Sequence, residues 1–233
     1  MELFFVEIIG GVYRADEASG NIAHSNVYIA INGKEIVVVD TGTAGNAKKI
    51  VAYIQKIGHE PAEVSTIVLT HYHLDHAGSV KELKDLTGAK VAVHADDADF
   101  VAGVKPYPKP KNLLMRAATS LIKLSPVNVD VVLKDGDKIG NLTVFHTPGH
   151  TPGSIALLDA EKKVLFVGDT LRFDGGKVGG APRHFTWDEQ KEKASIGRIA
   201  GLDFDVMLPG HGEFLAFDAS KKVRDSQGWL ILC

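Results

Sequence analysis

The feature that most constrains this chain is a six-residue stretch. His71-Tyr72-His73-Leu74-Asp75-His76 packs three imidazoles and a carboxylate directly behind the apolar run 66–69. Such groups are costly to bury unpaired at the end of a strand. Neutral imidazole nitrogens and carboxylate oxygens are, in contrast, the usual ligands of zinc and other first-row divalent ions. His71 and His73 are two residues apart and project to one side if the strand continues, whereas Asp75 and His76 lie where the chain must turn toward a helix. One segment can therefore feed two adjacent sites. A metal ion takes about four ligands, so neither site is complete without donors from elsewhere.

Three later residues have the right chemistry and setting. His150 stands in Thr147-Pro148-Gly149-His150-Thr151-Pro152-Gly153, Asp169 in Val167-Gly168-Asp169-Thr170, and His211 in Leu208-Pro209-Gly210-His211-Gly212. Each follows a short apolar run and is flanked by glycine or proline, as expected where a strand ends in a tight loop. Asp40, behind Ile36-Val37-Val38-Val39, occupies the same kind of position.

Short β-branched runs at 27–31, 36–40, 66–70, 90–94, 129–133, 142–146, 155–158, 164–167 and 206–208 read as strands, and the N-terminal apolar stretch reads as a first strand. Helical patterns occupy 46–57, 79–86, 96–101, 113–124 and 187–200, the last with Thr186 and Glu189 placed as a capping box. Asn32-Gly33 and Asp135-Gly136-Asp137 mark turns between paired strands. The uneven order of strands and helices indicates an α+β fold of sheets covered by helices, rather than a continuous doubly wound one. Residues 103–126, with Pro106, Pro108, Pro110 and Pro126, form a candidate flap or insertion near the active site, or else a helix packed on the core.

Composition narrows the function classes. A formal net charge of −3 with interspersed signs gives no general reason to expect nucleic acid or an anionic membrane as partner. No run approaches the roughly 20 apolar residues of a membrane span. The N-terminus lacks the basic start of a secretory signal, and the one cysteine is Cys233, so a cytoplasmic setting is expected. There is no nucleophile elbow, no phosphate-binding loop and no dinucleotide fingerprint; the glycine-rich segment 174–180 reads as a flexible loop.

With Val39-Asp40-Thr41-Gly42, the His71-x-His73-x-Asp75-His76 signature and the ordered His150, Asp169 and His211, the chain resembles the metallo-β-lactamase superfamily across nearly its whole length. The resemblance implies a single domain over 1–233 with the four-layered αβ/βα sandwich. It also implies two metal ions, zinc first, with iron or manganese as alternatives. In that reading His71, His73 and His150 hold the first ion, Asp75, His76 and His211 the second, Asp169 bridges them, and Asp40 orients ligands without binding metal. A hydroxide bridging the ions is the expected nucleophile, with Asp75 as a proton acceptor or donor beside its metal role.

Within the superfamily, the glyoxalase II and lactonase branches are the expectation: a hydrolase of small esters, thioesters or lactones. The stretch after His211 is short for the C-terminal helical domain of glyoxalase II, and Asp169 separates the chain from the zinc β-lactamases. An iron-dependent persulfide dioxygenase-like oxidoreductase, a phosphodiesterase or nuclease of the same superfamily, and a silent binding module are the alternatives. His24, His59, His94, His146 and His184 default to ordinary polar roles, with His184 placed to reach the mouth of the site. Tyr72 reads as a wall of the site, and Lys105, Lys109 and Lys111 as a solvated loop.

Overall fold

The apolar runs become strands whose two faces enter different cores. In β4 (Glu35–Val39), Ile36 and Val38 face one core, and Val37 and Val39 another. The same alternation places Phe166 of β11 (Val164–Gly168) opposite Leu165 and Val167. Strands buried on both faces need apolar residues at successive positions, which is why these segments read as continuous runs. The computed structural model describes residues 6–15, 25–107 and 125–230. The helix expected at 113–124, most of the 103–126 segment, His24, Lys109, Lys111 and Cys233 lie outside the described residues.

Two sheets carry the fold. The first has seven strands in sequence order: β1 (Val6–Ile9), β2 (Val12–Arg14), β3 (Tyr28–Asn32), β4, β5 (Val64–Val68), β6 (Lys90–His94) and β7 (Val131–Leu133). It is antiparallel up to β4 and parallel from there to β7. The second contains β8 (Lys138–Ile139), β9 (Leu142–His146), β10 (Ile155–Asp159), β11, β14 (Val206–Pro209) and β15 (Leu215–Ala216), ordered β15-β14-β11-β10-β9-β8. A two-strand ribbon, β12 (Arg172–Asp174) and β13 (Lys177–Gly179), stands apart.

Helices cover the outer faces. α1 (Ala47–Lys56) and α3 (Val80–Thr87) bury Ile50, Tyr53, Ile54 and Leu83 against the first sheet. α5 (Glu189–Ala200) and α6 (Ala219–Leu230) bury Ile196, Ile199 and Val223 against the second. The short α2 (Leu74–Ala77) and α4 (Ala95–Val101) follow strand ends of the first sheet. Between the sheets lies a third core that includes Val68, Val144, Leu157, Phe166 and Leu208. The result is helix, sheet, sheet, helix: the α+β four-layered sandwich. Each fully buried side chain of this type contributes roughly 1.5–3 kcal/mol, so the inter-sheet layer is what holds the two halves in register.

Three local expectations are corrected. Asp135 and Gly136 do turn the chain, but β7 and β8 on either side belong to different sheets, so the turn passes the chain between layers. The 174–180 segment is largely the β12–β13 ribbon: Gly175 and Gly176 have φ of +55° and +78°, which suits a two-residue hairpin turn of the primed type. α5 is capped by Asp188, whose side chain accepts from the backbone N–H groups of Gln190 and Lys191; Thr186 instead donates to Glu192. Among the described residues, no helix is long and apolar enough to cross a membrane.

Candidate metal centre

The loops at one end of both sheets converge. β5 stops at Val68, two residues before the end expected for it, and Leu69 to His73 leave as a loop that turns at His73 into α2. His71 and His73 still point the same way, their ring centroids 4.7 Å apart. From the other sheet, the loop after β9 brings His150 to within 4.7 Å of His71 and 4.6 Å of His73, centroid to centroid, so the three rings form a near-regular triangle. His150 Nε2 and His73 Nδ1 are 2.9 Å apart.

A second group stands beside it. Asp75 Oδ2 lies 3.1 Å from His211 Nε2 and 3.8 Å from His76 Nε2, and the two imidazole nitrogens are 3.3 Å apart. Asp169 reaches between the groups: Oδ2 is 3.5 Å from His150 Nε2 and 3.4 Å from His211 Nε2, and Oδ1 is 3.3 Å from His76 Nε2. The sets His71–His73–His150, His71–His76–Asp169 and Asp75–His76–His211 could each hold a metal ion, with donor atoms within 4.8 Å of one another.

The backbone explains how donors from different loops come so close. Gly168, with φ +50°, turns β11 sharply into Asp169, and a side chain on it would strike Thr70. Gly210 donates to the Gly168 carbonyl at 2.7 Å, and a Cβ there would sit 2.3 Å from Asp169 Oδ1 and 2.6 Å from His76 Cε1. Only glycine lets the β14 loop pass this near the carboxylate.

Asp40 holds the first half together. Its backbone adopts φ +61°, uncommon for a residue with a side chain, and its carboxylate is buried. Oδ1 accepts from Thr70 N–H at 2.8 Å, while Oδ2 accepts from Thr70 Oγ1 and contacts His76 Nδ1, each at 2.8 Å. That contact turns Nε2 of His76 toward Asp169 and His211, a positioning role of the kind outer carboxylates serve around metals.

The donor set fits a cation. Burial, together with the neighbouring His76 and His150, holds His71 well below the usual imidazole range; burial and His150 bring His73 down to about 3, and burial lowers His150 as well. These rings are neutral and offer lone pairs. His71 Nε2 is buried with no hydrogen-bond partner. At His76 burial again opposes the charge, but Asp169, Asp40 and Asp75 reverse it and hold the group well above its ordinary value. Burial opposes the charge on Asp75 too, yet His76 and the hydrogen bond with His211 bring it down to about 2. Carboxylates that favour the charged form of a fully buried imidazole make a pocket suited to positive charge.

All seven residues expected as donors are thus in one cluster, and Asp40 is beside it. His184 is not: it lies exposed on a 3-10 turn (Arg183–Phe185), tilted against Phe185. Tyr72 is buried, its ring stacked on Phe100 and edge-on to His73. One residue escaped the sequence reading. Asp97 of α4, fully buried, accepts from Tyr72 N–H at 3.1 Å, Thr151 Oγ1 at 2.7 Å and Gly153 N–H at 2.7 Å. It therefore ties the loop of His71 and His73 to the loop of His150. Nothing in Asp96-Asp97-Ala98-Asp99 separates it from its solvated neighbours; only its place on the inner side of α4 does.

Residues 21–211 match the family model of the metallo-beta-lactamase superfamily. An acyl-coenzyme A thioesterase of Bos taurus is 30% identical, over 91% of this chain and 80% of that protein. A hydroxyacylglutathione hydrolase of Haemophilus influenzae is 29% identical, over 81% of this chain and 85% of that protein. A protein solved in a di-iron-bound form is 28% identical with a TM-score of 0.68, covering 90% of this chain and 97% of that one. A metallo-beta-lactamase family protein from Thermus thermophilus superimposes with a TM-score of 0.71 at 24% identity, over 95% of this chain and 79% of that one, a likeness of fold.

Proposed function

The chain belongs to the metallo-beta-lactamase superfamily, and from that premise we propose that this metal-dependent hydrolase is dinuclear and cleaves small thioesters, with esters and lactones as related substrates. The observation that carries the reading is the pairing of two donor groups about one carboxylate, Asp169. In this reading His71, His73 and His150 hold one ion, Asp75, His76 and His211 the other, and Asp169 touches both. When bound, such a pair of divalent ions acidifies a shared water and polarises the bond under attack. The thioesterase and hydroxyacylglutathione hydrolase relatives favour a thioester as the first substrate class to test.

The chain's own groups supply the rest. Asp40 keeps Nε2 of His76 directed into the cluster, and Asp97 keeps the His150 loop seated against the His71 loop. The Asp75 carboxylate, 33% exposed, is the group assigned here as proton acceptor or donor as the substrate is attacked. An Asp75→Ser variant that keeps its metal and full turnover would remove that role.

Zinc is the metal we propose; the di-iron relative makes iron the alternative worth measuring. The test is elemental analysis of protein purified without added metal, with turnover of a thioester and lactone panel read from the same sample. The expected result is about two zinc ions per chain with thioester hydrolysis. About one iron per chain, no hydrolysis and oxygen uptake with a persulfide would overturn it.

A further inference from the structure

Asp97 ties the His150 loop to the His71 loop, and the His211 loop has a clasp of its own. It comes from Ser25 and Asn26, both buried, which lead into β3 of the first sheet. Asn26 Nδ2 donates to the Pro209 carbonyl at 2.9 Å and to the Gly212 carbonyl at 3.1 Å, on either side of Gly210 and His211. Its backbone N–H donates to the Gly210 carbonyl at 2.7 Å. Tyr28 Oη adds a bond of 2.7 Å to the Pro209 carbonyl. Ser25 Oγ, meanwhile, donates to the backbone carbonyl of Asp75. Adjacent residues of one strand entry therefore hold the loops of Asp75 and His211, whose Oδ2 and Nε2 meet at 3.1 Å.

The chemistry of the clasp is specific to an amide. Both partners of the Asn26 side chain are carbonyl oxygens, so the group that faces them must be NH2, and a carboxylate of the same shape would set oxygen against oxygen. The turn it spans is tight. Pro209 ends β14, and Gly212 has φ +82°, a backbone state that favours glycine. A Cβ on Gly212 would lie 2.4 Å from Asp174 Oδ1 and 2.9 Å from the Phe173 carbonyl oxygen, so the β12–β13 ribbon confines the turn as well. His211 is aimed by this turn, and Asn26 holds the turn to the first sheet.

On the reading that Asp75, His76 and His211 hold an ion, we propose that Asn26 is a positioning residue for that ion alone. It sets the His211 loop against Asp75. The bonds it donates end on residues 209, 210 and 212, whereas the loops of His71, His73 and His150 are joined through Asp97. Removing the Asn26 amide therefore separates the two donor groups: the one of His71, His73 and His150 keeps its geometry, and the one of Asp75, His76 and His211 opens.

The test uses the full chain, stripped with a chelator and titrated with zinc alone by calorimetry, in the natural form and as Asn26→Asp, Asn26→Ala and Tyr28→Phe. Asn26→Ala removes the same donors without bringing a charge, so a variant remains if Asn26→Asp does not fold. The natural and Tyr28→Phe proteins are expected to bind about two equivalents. The Asn26 variants are expected to keep one at its natural affinity and to bind the other at least roughly tenfold more weakly. Unchanged binding of both equivalents, or equal weakening of both, would overturn the proposal. So would the same selective loss in Tyr28→Phe, which would assign the effect to the packing of β3.

Hydrogen exchange in the metal-free proteins gives a second readout that holds even if the centre is not dinuclear. The Gly210 N–H, bonded to the Gly168 carbonyl at 2.7 Å, reports on the His211 loop, and the Leu69 N–H, bonded to the Ala92 carbonyl at 3.0 Å, on the His71 loop. Loss of the Asn26 amide is expected to speed exchange at Gly210 at least roughly tenfold and to leave Leu69 unchanged. Equal acceleration at both positions, or none at Gly210, would overturn the positioning role whatever the zinc stoichiometry.

Discussion

The seven side chains of the central cluster divide unevenly between the sheets. His71, His73, Asp75 and His76 leave the first sheet as one segment, while His150, Asp169 and His211 leave the second from three separate loops, after β9, β11 and β14. In the first half the spacing is local: His73 precedes α2, His76 lies within it, and Asp40 fixes both Thr70 and His76. In the second half the spacing depends on strand pairing. β11 and β14 run parallel, so Asp169 and His211 emerge at the same end, and glycine at 168 and 210 lets their loops touch. Asp97 ties the two halves together, accepting hydrogen bonds from the His71 loop and the His150 loop at once.

Substitutions can break this comparison in turn. The largest effect is expected from Asp169→Ala, which removes the carboxylate common to both donor groups and leaves the buried His76 with fewer anions: turnover should fall by more than about 100-fold with loss of bound metal, measured by kcat/KM and elemental analysis. If metal and turnover survived, the two halves would be independent sites. Asp40→Asn strikes only the first half. The freed orientation of His76 should weaken metal binding by roughly 10- to 100-fold, read by chelator competition, while the fold persists.

Asp97→Asn tests the tie between halves. Both carboxylate oxygens accept from donors, so an amide would turn an N–H group toward another donor; a loss of about 1–3 kcal/mol in denaturant unfolding is expected. The same variant sharpens the pH dependence. Burial, against hydrogen bonds from Thr151, Gly153 and Tyr72, raises Asp97 to about 6. The folded chain then binds this proton at higher pH than the unfolded chain, whose value is about 3.9, so this group favours the fold increasingly as pH falls from about 6 to about 4. In metal-free protein that component of the slope should vanish in Asp97→Asn; an unchanged slope would place the titration elsewhere. The smallest effect is expected from His184→Ala, within about 0.5 kcal/mol in stability and without change in kcat/KM. A clear loss of activity would bring the ribbon side of the second sheet into the site.

The difference between the halves is also a difference in what the residues alone make legible. The contiguous segment 71–76 announces metal-binding chemistry because so dense a set of donors would be costly to bury without a cation. The glycine and proline around His150, Asp169 and His211 mark them as strand-end loops. The strands themselves are legible because apolar runs buried on both faces must be continuous. Less is visible where a rule of local chemistry meets a tertiary choice. The turn at Asp135 and Gly136 looks the same whether it joins partners in one sheet or passes between layers. Thr186 and Asp188 are both good caps, and the contact with Glu192 decides between them. Asp97, Asp96 and Asp99 share one residue type within four positions, and α4 buries only the first of these. By itself, then, the chain's sequence determined which atoms could bind a cation and that they sit at strand ends, since both follow from side-chain chemistry and short-range pattern. Which of those atoms meet, and that His94 of one sheet stacks on His146 of the other, was decided only when the inter-sheet core packed and brought residues far apart in the chain within van der Waals reach.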